Sequence, residues 1–591
     1  MTDLRALYGT DEPPRAGRRL TCGPAEVTLE DGQLRHLRID GHEAIRSIAF
    51  LVRDSDWGTV PARISDLRIE ETGPRTRVTY RATFDMGERL VADVTLLLTA
   101  SGCDATASAV SKGEVLTNRA GFTVLHPING VAGAPVQVDH PDGGRTNGHF
   151  PDLIAPWQPF MDIAALTHQA GPWRVSCRFA GDVFEMEDQR QWGDASFKTY
   201  NRPLALPWPY ALPDGARLEQ AVSIRWQHQD ATRPAAPPVE PRPARFPQTA
   251  LLITAADAVR AAGDPSHLHR IAPQRLLCHL DASAGNIAAD LRSFAALQAQ
   301  AMQIVFDLEL VAACPPDGDL EAEFKAYADA LTASGLRAAS VMVTPAVDRQ
   351  STPPGSDWPP CPPLRQIHAA ARMAFPDLPL GGGVASFFPE LNRKRPPVEM
   401  LDFVTHGFCP IVHAADDVSV IETLETVPHI LTSGRVIAGA AEYRLGPSTI
   451  AMRQNPYGSR TIPNPDRLRT PMAAEDPRQD GTFAAAWTCG LATALAPSEL
   501  AVWTPASLYG PRGLVRDDGS LRPVAAVVAA LSGLAGATVG QATIRDGLAT
   551  LELADYAMVT NLLPRSAPLP DGGTLDAFEW RERIASGPDC A

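Results

Sequence analysis

Between residues 249 and 539, short apolar runs alternate with helical stretches, and this pattern constrains the fold more than any other in the chain. The runs are LLCHLD (276–281), IVFDLEL (304–310), ASVMVTP (339–345), LPLGGGVASF (378–387), DFVTHGF (402–408), VIAGAAEY (436–443) and LAVWTPASLY (500–509). Helical stretches such as Asp319–Ser334, Leu364–Phe375, Val418–Thr432 and Asp480–Ala496 lie between them. Repeated strand–helix units imply a parallel sheet, and this many imply a (β/α)8 barrel of the TIM type. Seven strands are legible; the eighth is not. Asp281, Asp307, Glu309, His406 and Glu442 are expected at the C-terminal ends of their runs, where barrel enzymes keep their chemistry.

The flanks read differently. Over residues 1–231 the period is two. Val78, Tyr80, Ala82 and Phe84 alternate with polar neighbours, and Leu90, Ala92, Val94, Leu96 and Leu98 repeat the pattern after a turn at Gly87. Asp31-Gly32 marks a further hairpin. One face of each strand is therefore buried and one wet, as in an antiparallel β-sandwich. Residues 232–248, dense in proline, form the expected linker. Alternation returns over 540–591, which reads as a small C-terminal β domain. The expected class is thus multidomain: an N-terminal antiparallel β-sandwich, a central (β/α)8 barrel and a C-terminal β domain.

The formal net charge of −15 argues against nucleic acid and against an anionic membrane surface. The most apolar run, 524–539, is shorter than the ~20 residues that cross a bilayer. Nine dispersed cysteines without a CxxC pair argue against a zinc cluster or a disulfide framework. MTDLRALYGTDEPP lacks an apolar signal core. A cytoplasmic protein with no cofactor, no assigned metal ligand and a small-molecule ligand is expected, and its metal dependence and oligomeric state are left open.

Three groups of residues carry chemistry. The first comprises the barrel carboxylates Glu442, Glu309, Asp307 and Asp281; such groups serve as general acid and base or cleave glycosides in pairs. Structural ion pairs with nearby arginines are the plainer alternative for each. His406, with His413 and Asp416, reads as a set that binds a metal or shuttles a proton. The plainer alternative is that His413 and Asp416 begin the next helix, with Asp416 as its N-cap. The second is SFFPELNRKRPP, where Glu390, Asn392 and Arg393 form a loop suited to holding a carboxylate. The third is FEMEDQRQWGDASFKTYNRPLALPWPY, with Glu187, Asp188, Arg190, Trp192, Lys198 and Tyr200 interleaved. This segment is expected to bind sugar hydroxyls as a wall of a site shared with the barrel, or else to form a polar seam between domains. GxSxG and the P-loop are absent.

The barrel region resembles the retaining glycoside hydrolases built on (β/α)8 barrels. DFVTHGF followed by AEYRLG is similar to their sixth and seventh strands, which makes Glu442 the nucleophile, and Trp503 is similar to their eighth-strand tryptophan. The Asn-Glu pair at the fourth strand is missing; ASVMVTPAVD offers only Asp348. A more specific resemblance spans the whole chain. GQLRHLRIDGHEAIRSIAFLVRDSDWGTVP, FEMEDQRQWGDASFKTYNRPLALPWPY and GVASFFPELNRKRP resemble the bacterial D-apionate lactonase family. That resemblance implies hydrolysis of D-apionolactone to D-apionate in D-apiose catabolism. Glu442 or Glu309 is then the expected base, with His406, Arg393 or Lys198 polarising the carbonyl. A glycoside hydrolase acting on an apiose-containing glycan is the alternative.

Overall fold

The computed structural model describes residues 3–229, 244–458, 460–553, 556–570 and 572–584. They form two compact units. One comprises residues 14–238 and 353–356; the other comprises 1–13, 239–352 and 357–591.

The first unit contains a seven-stranded and a nine-stranded antiparallel sheet. The alternating residues behave as their period requires. Leu90, Ala92, Val94, Leu96 and Leu98 are all at most 3% exposed, as are Val78, Ala82 and Phe84. They share one continuous apolar core with Ile45, Ile48, Phe50 and Val52 of the other sheet. Burial of each large aliphatic side chain contributes roughly 1.5–3 kcal/mol. The Asp31-Gly32 turn joins Glu30 to Gln33 with φ of 46° and 78°, the left-handed pair that a tight hairpin needs.

The second unit is built on a closed parallel barrel. Its strands are β1 (Gln248–Ile253), β2 (Arg275–Asp281), β3 (Val305–Ala312), β4 (Ser340–Pro345), β5 (Leu380–Phe387), β6 (Phe403–Phe408), β7 (Glu442–Ser448) and β8 (Val502–Ser507). The strand missing from the sequence reading is β1. It begins at Gln248, the last residue of the expected linker, so the proline run masked a strand only six residues long. Residues 232–243 of that linker lie outside the described residues. Gly381 is required where β5 passes β6: a Cβ there would lie 2.2 Å from the Phe403 ring.

Two boundaries differ from expectation. VIAGAAEY is not one strand. Its first residues finish the helix Val427–Ala438, Gly439 closes that helix at φ 59°, and β7 starts only at Glu442. The chain's first residues also belong with the barrel rather than the sandwich. The Tyr8 ring packs 6.0 Å from Phe483 and 5.4 Å from Phe578. The C-terminal strands Val539–Arg545, Leu548–Leu553, Tyr556–Asn561 and Trp580–Ile584 form an antiparallel sheet in this same unit. Among the described residues, no helix is long and apolar enough to cross a membrane.

Candidate active site at the barrel mouth

The two ends of the barrel carry different chemistry. At the N-terminal end, the Arg275 guanidinium clamps Asp307 with bonds of 2.6 and 2.7 Å. Ser340 Oγ donates to Asp307 at 2.6 Å, and Arg444 donates to Ser340 Oγ at 3.0 Å and to Glu442 at 2.6 Å. Asp307 and Glu442 therefore belong to an ion-pair plug. The cavity beside this plug has a volume of only about 20 Å3, too small for a substrate. Glu442 was expected to end a strand; it begins one, and its side chain is 44% exposed. The glycosidase-like nucleophile at this position is thus at the wrong end. Glu442→Gln should keep kcat/KM within about threefold of the parent, since barrel chemistry belongs to the opposite face. A loss of ~100-fold in a steady-state lactone assay would return Glu442 to the mechanism.

At the C-terminal end a cavity of about 650 Å3 opens, lined by residues of the barrel unit alone. His279 on β2, Arg349 after β4, Arg453 after β7 and Arg512 after β8 line it, with Gln454 and Arg460. Beneath it lies Glu309 of β3, whose side chain is 2% exposed. Parallel pairing sets His279 opposite Glu309, and His279 Nδ1 lies 2.7 Å from Glu309 Oε2. Arg453 donates to both Glu309 oxygens, Nη1 at 3.0 Å and Nη2 at closer range. Burial opposes the Glu309 charge, but Arg453 and His279 overcome it and hold the carboxyl down at about 2. Arg453 Nη2 also lies 2.8 Å from His279 Nδ1. An ionised carboxylate only accepts, so the 2.7 Å contact places the proton on Nδ1, which gives it to Glu309. The Arg453 hydrogens are directed at Glu309, and its approach to Nδ1 is then a contact between two donors and not a hydrogen bond. The lone pair is then on Nε2, which has no hydrogen-bond partner among the described residues, on a ring 21% exposed.

Arg512 completes the mouth. It donates to the Met452 and Ala474 carbonyls, at 3.3 and 3.4 Å, while its buried Nε has no partner. Burial, then the neighbouring Arg453, lowers its pKa to about 10. Among the described residues, no carboxylate forms an ion pair with it. Asp281, which does end β2 as expected, is held by Arg349 and by Ser283 Oγ at 2.6 Å. The mouth thus combines a carboxylate–imidazole pair with a partly buried cation that has no ion-pair partner among the described residues.

Comparison with known proteins agrees across both units. A family model described as "D-apionate lactonase, TIM barrel domain" matches residues 249–536, and one described as "D-apionate lactonase, N-terminal domain" matches residues 5–229. A Brucella anthropi protein named D-apionate lactonase is 44% identical over 550 residues, covering 90% of each chain. The chain belongs to the D-apionate lactonase family. It is a lactonase, a carboxylic ester hydrolase. Solved structures are more distant. A GH30 endoxylanase from Clostridium papyrosolvens covers 58% of this chain and 97% of its own, at 9% identity and a TM-score of 0.35. The Slr1438 protein of Synechocystis covers 38% and 98%, at 11% identity and a TM-score of 0.28.

Within this lactonase the other expected site residues fall elsewhere. His406 was expected at the mouth, but its neighbour Thr405 faces the barrel interior, so His406 points outward. It is fully buried, with Nδ1 donating to the Gly407 carbonyl at 2.8 Å and Nε2 accepting from Tyr443 at 2.7 Å. Burial lowers its pKa to about 4, and both nitrogens are already occupied. Glu390, Asn392 and Arg393 lie on a helix, Phe388–Arg393, and not in a loop. Arg393 donates to Ser351 Oγ at 3.0 Å, and Asn392 Oδ1 accepts from Arg395 at 3.2 Å. Burial, opposed by Arg393, raises the Glu390 carboxyl to about 7. Asp416 is the N-cap, accepting from Ser419 N.

The 184–210 segment contains a hairpin in which Arg190 pairs with Asp188 and Lys198 with Glu187. Strands Phe184–Asp188 and Ser196–Asn201 set Glu187 opposite Lys198, at 2.6 Å. Trp192 Nε1 donates to Glu187 at 2.8 Å. Arg190 clamps Asp188 at 2.8 and 2.7 Å and reaches the Pro151 carbonyl at 2.8 Å. Tyr200 donates to Glu185 at 2.6 Å. Glu187, Asp188, Arg190, Trp192, Lys198 and Tyr200, expected to bind sugar hydroxyls, each contact a neighbour within this hairpin. The residues that sequence reasoning missed are His279, Arg453 and Arg512. For His279 a signal existed, since period two puts it on the same face as Asp281.

Proposed function

We propose that this lactonase hydrolyses D-apionolactone to D-apionate, with His279 as general base, Glu309 and Arg453 as its positioning residues, and Arg512 as the oxyanion site. The Glu309–His279 pair beneath a cationic mouth carries this reading. His279 Nε2 removes a proton from water as the water oxygen attacks the ring carbonyl carbon. Negative charge moves to the carbonyl oxygen, where Arg512 stabilises it. The intermediate collapses, the ring C–O bond breaks, and the His279 proton passes to the leaving alkoxide. The product ionises to a carboxylate, releasing one proton to solvent and meeting Arg512 and Arg349. The substrate identity is supported by the name of the Brucella anthropi relative.

A pH-stat assay over a panel of aldonolactones tests the reading. Acid release should be fastest with D-apionolactone, and equal or faster turnover of six-carbon aldonolactones would reject that substrate. Arg512→Met should raise KM and lower kcat, together costing about 2–3 kcal/mol of transition-state stabilisation. The same change should raise the melting temperature, because a partly buried cation without an ion-pair partner among the described residues is removed. Full activity in this variant removes Arg512 from the oxyanion role.

A further inference from the structure

The sandwich unit contains a cluster that the proposed mechanism of lactone hydrolysis does not use. One nitrogen of His126, one nitrogen of His168 and the Cys177 sulfur all lie within 4.8 Å of one another, and all three side chains are buried. His126 belongs to the strand Arg119–Pro127 of the seven-stranded sheet. His168 and Cys177 lie on the adjacent strands Ala165–Ala170 and Trp173–Ala180 of the nine-stranded sheet. Cys177 pairs with Leu166, two residues before His168, so His168 and Cys177 project from the same face. The three donors therefore come from both layers of the sandwich.

We propose that His126 Nδ1, His168 Nε2 and Cys177 Sγ form a binding site for a soft d10 metal ion, Zn2+ or Cu+, that ties the two sheets together. Their spacing supports this. His126 Nδ1 lies 3.4 Å from His168 Nε2. Two nitrogens ~2.05 Å from one ion, at angles of roughly 109–120°, lie about 3.3–3.6 Å apart. An N–H hydrogen bond prefers about 2.9–3.0 Å, so the observed gap suits a shared ion better than a direct bond. The remaining nitrogens already have partners that fix the rings: His168 Nδ1 donates to the Gln169 carbonyl at 3.1 Å, and His126 Nε2 lies 3.0 Å from Thr199 Oγ1. Such outer bonds orient metal-bound imidazoles. On binding, the His126 proton moves from Nδ1 to Nε2, where it is donated to Thr199 Oγ1, and the Cys177 thiol proton leaves to solvent. The donor set of two imidazoles and one thiolate selects thiophilic ions over Mg2+ or Ca2+.

The test uses the full chain, purified from cells grown with added zinc or copper and analysed by elemental mass spectrometry. About one ion per chain is expected in the parent protein, falling below roughly 0.1 in Cys177→Ala and in His168→Gln. Stripping the metal should lower the melting temperature of the parent and leave that of Cys177→Ala unchanged. Because a variant in a core can fail to fold, a second measurement uses the parent protein alone. Refolding with Co2+ should give a near-ultraviolet thiolate-to-cobalt charge-transfer band. A parent protein with neither bound Zn2+ or Cu+ nor a cobalt–thiolate band overturns the proposal. So does a folded Cys177→Ala variant that keeps the parent metal content. Lactonase turnover is read in parallel, so failure of the metal site and failure of the His279 mechanism remain separate.

Discussion

His279→Gln should lower kcat for lactone hydrolysis by about 10³-fold while KM stays within roughly threefold, as expected when a general base is removed and the binding groups remain. Glutamine can keep the hydrogen bond to Glu309 that His279 Nδ1 makes at 2.7 Å, so the fold of β2 is preserved. What is lost is the Nε2 lone pair at the floor of the 650 Å3 cavity. The smaller variant His279→Ala leaves room for a replacement base, and added imidazole should restore part of its turnover. Glu309→Gln should also lower kcat, because it removes the group that fixes the His279 tautomer and stabilises its imidazolium. A His279→Gln enzyme within about fivefold of the parent kcat, or an alanine variant indifferent to imidazole, sinks the assignment.

The sequence signals that succeeded were periodic, and those that failed were local. Period two over residues 78–98 marks buried sandwich strands, and the alternation after residue 249 marks the barrel. Both patterns result from which faces are buried, and burial repeats many times along the chain. Glu442 shows the limit. VIAGAAEY reads as an apolar run that ends in an acid, yet a helix C-terminus at Gly439 divides it. A shift of six residues moved Glu442 from the mouth to the floor. It also hid the loop after β7 that supplies Arg453. In β3, one period-two face carries both Asp307 and Glu309, but they serve opposite ends: one in the plug, the other below the mouth. Residue type does not separate them; depth along the strand does. The 184–210 hairpin shows the converse. Its charge density suggests a ligand, and antiparallel register places Glu187 opposite Lys198, so that the two pair with each other.

Arg453→Met should be the most destabilising change at the mouth, costing about 3–5 kcal/mol as Glu309 loses its buried counter-ion. For a unit of roughly 350 residues, that corresponds to a fall of about 5 °C in melting temperature. The pH dependence gives the sharper signature. In the parent, Glu309 is held at about 2, below its ordinary value of 4.5. Its ionised form therefore contributes stability that is complete above about pH 4.5 and is lost as pH falls toward 2. Without Arg453, burial becomes the dominant influence and pushes the carboxyl above its ordinary value. The sign then reverses: Glu309 destabilises the variant at neutral pH, and the penalty shrinks as acid protonates it. The melting-temperature gap between Arg453→Met and the parent should narrow from pH 8 to pH 5. Adding Glu309→Gln should recover much of the lost stability, since no buried charge remains. Lactonase activity should not return with it, because the neutral amide no longer stabilises the His279 imidazolium that forms during attack. A gap independent of pH means that Arg453 does not act through Glu309, and a double variant that regains turnover removes both side chains from the mechanism.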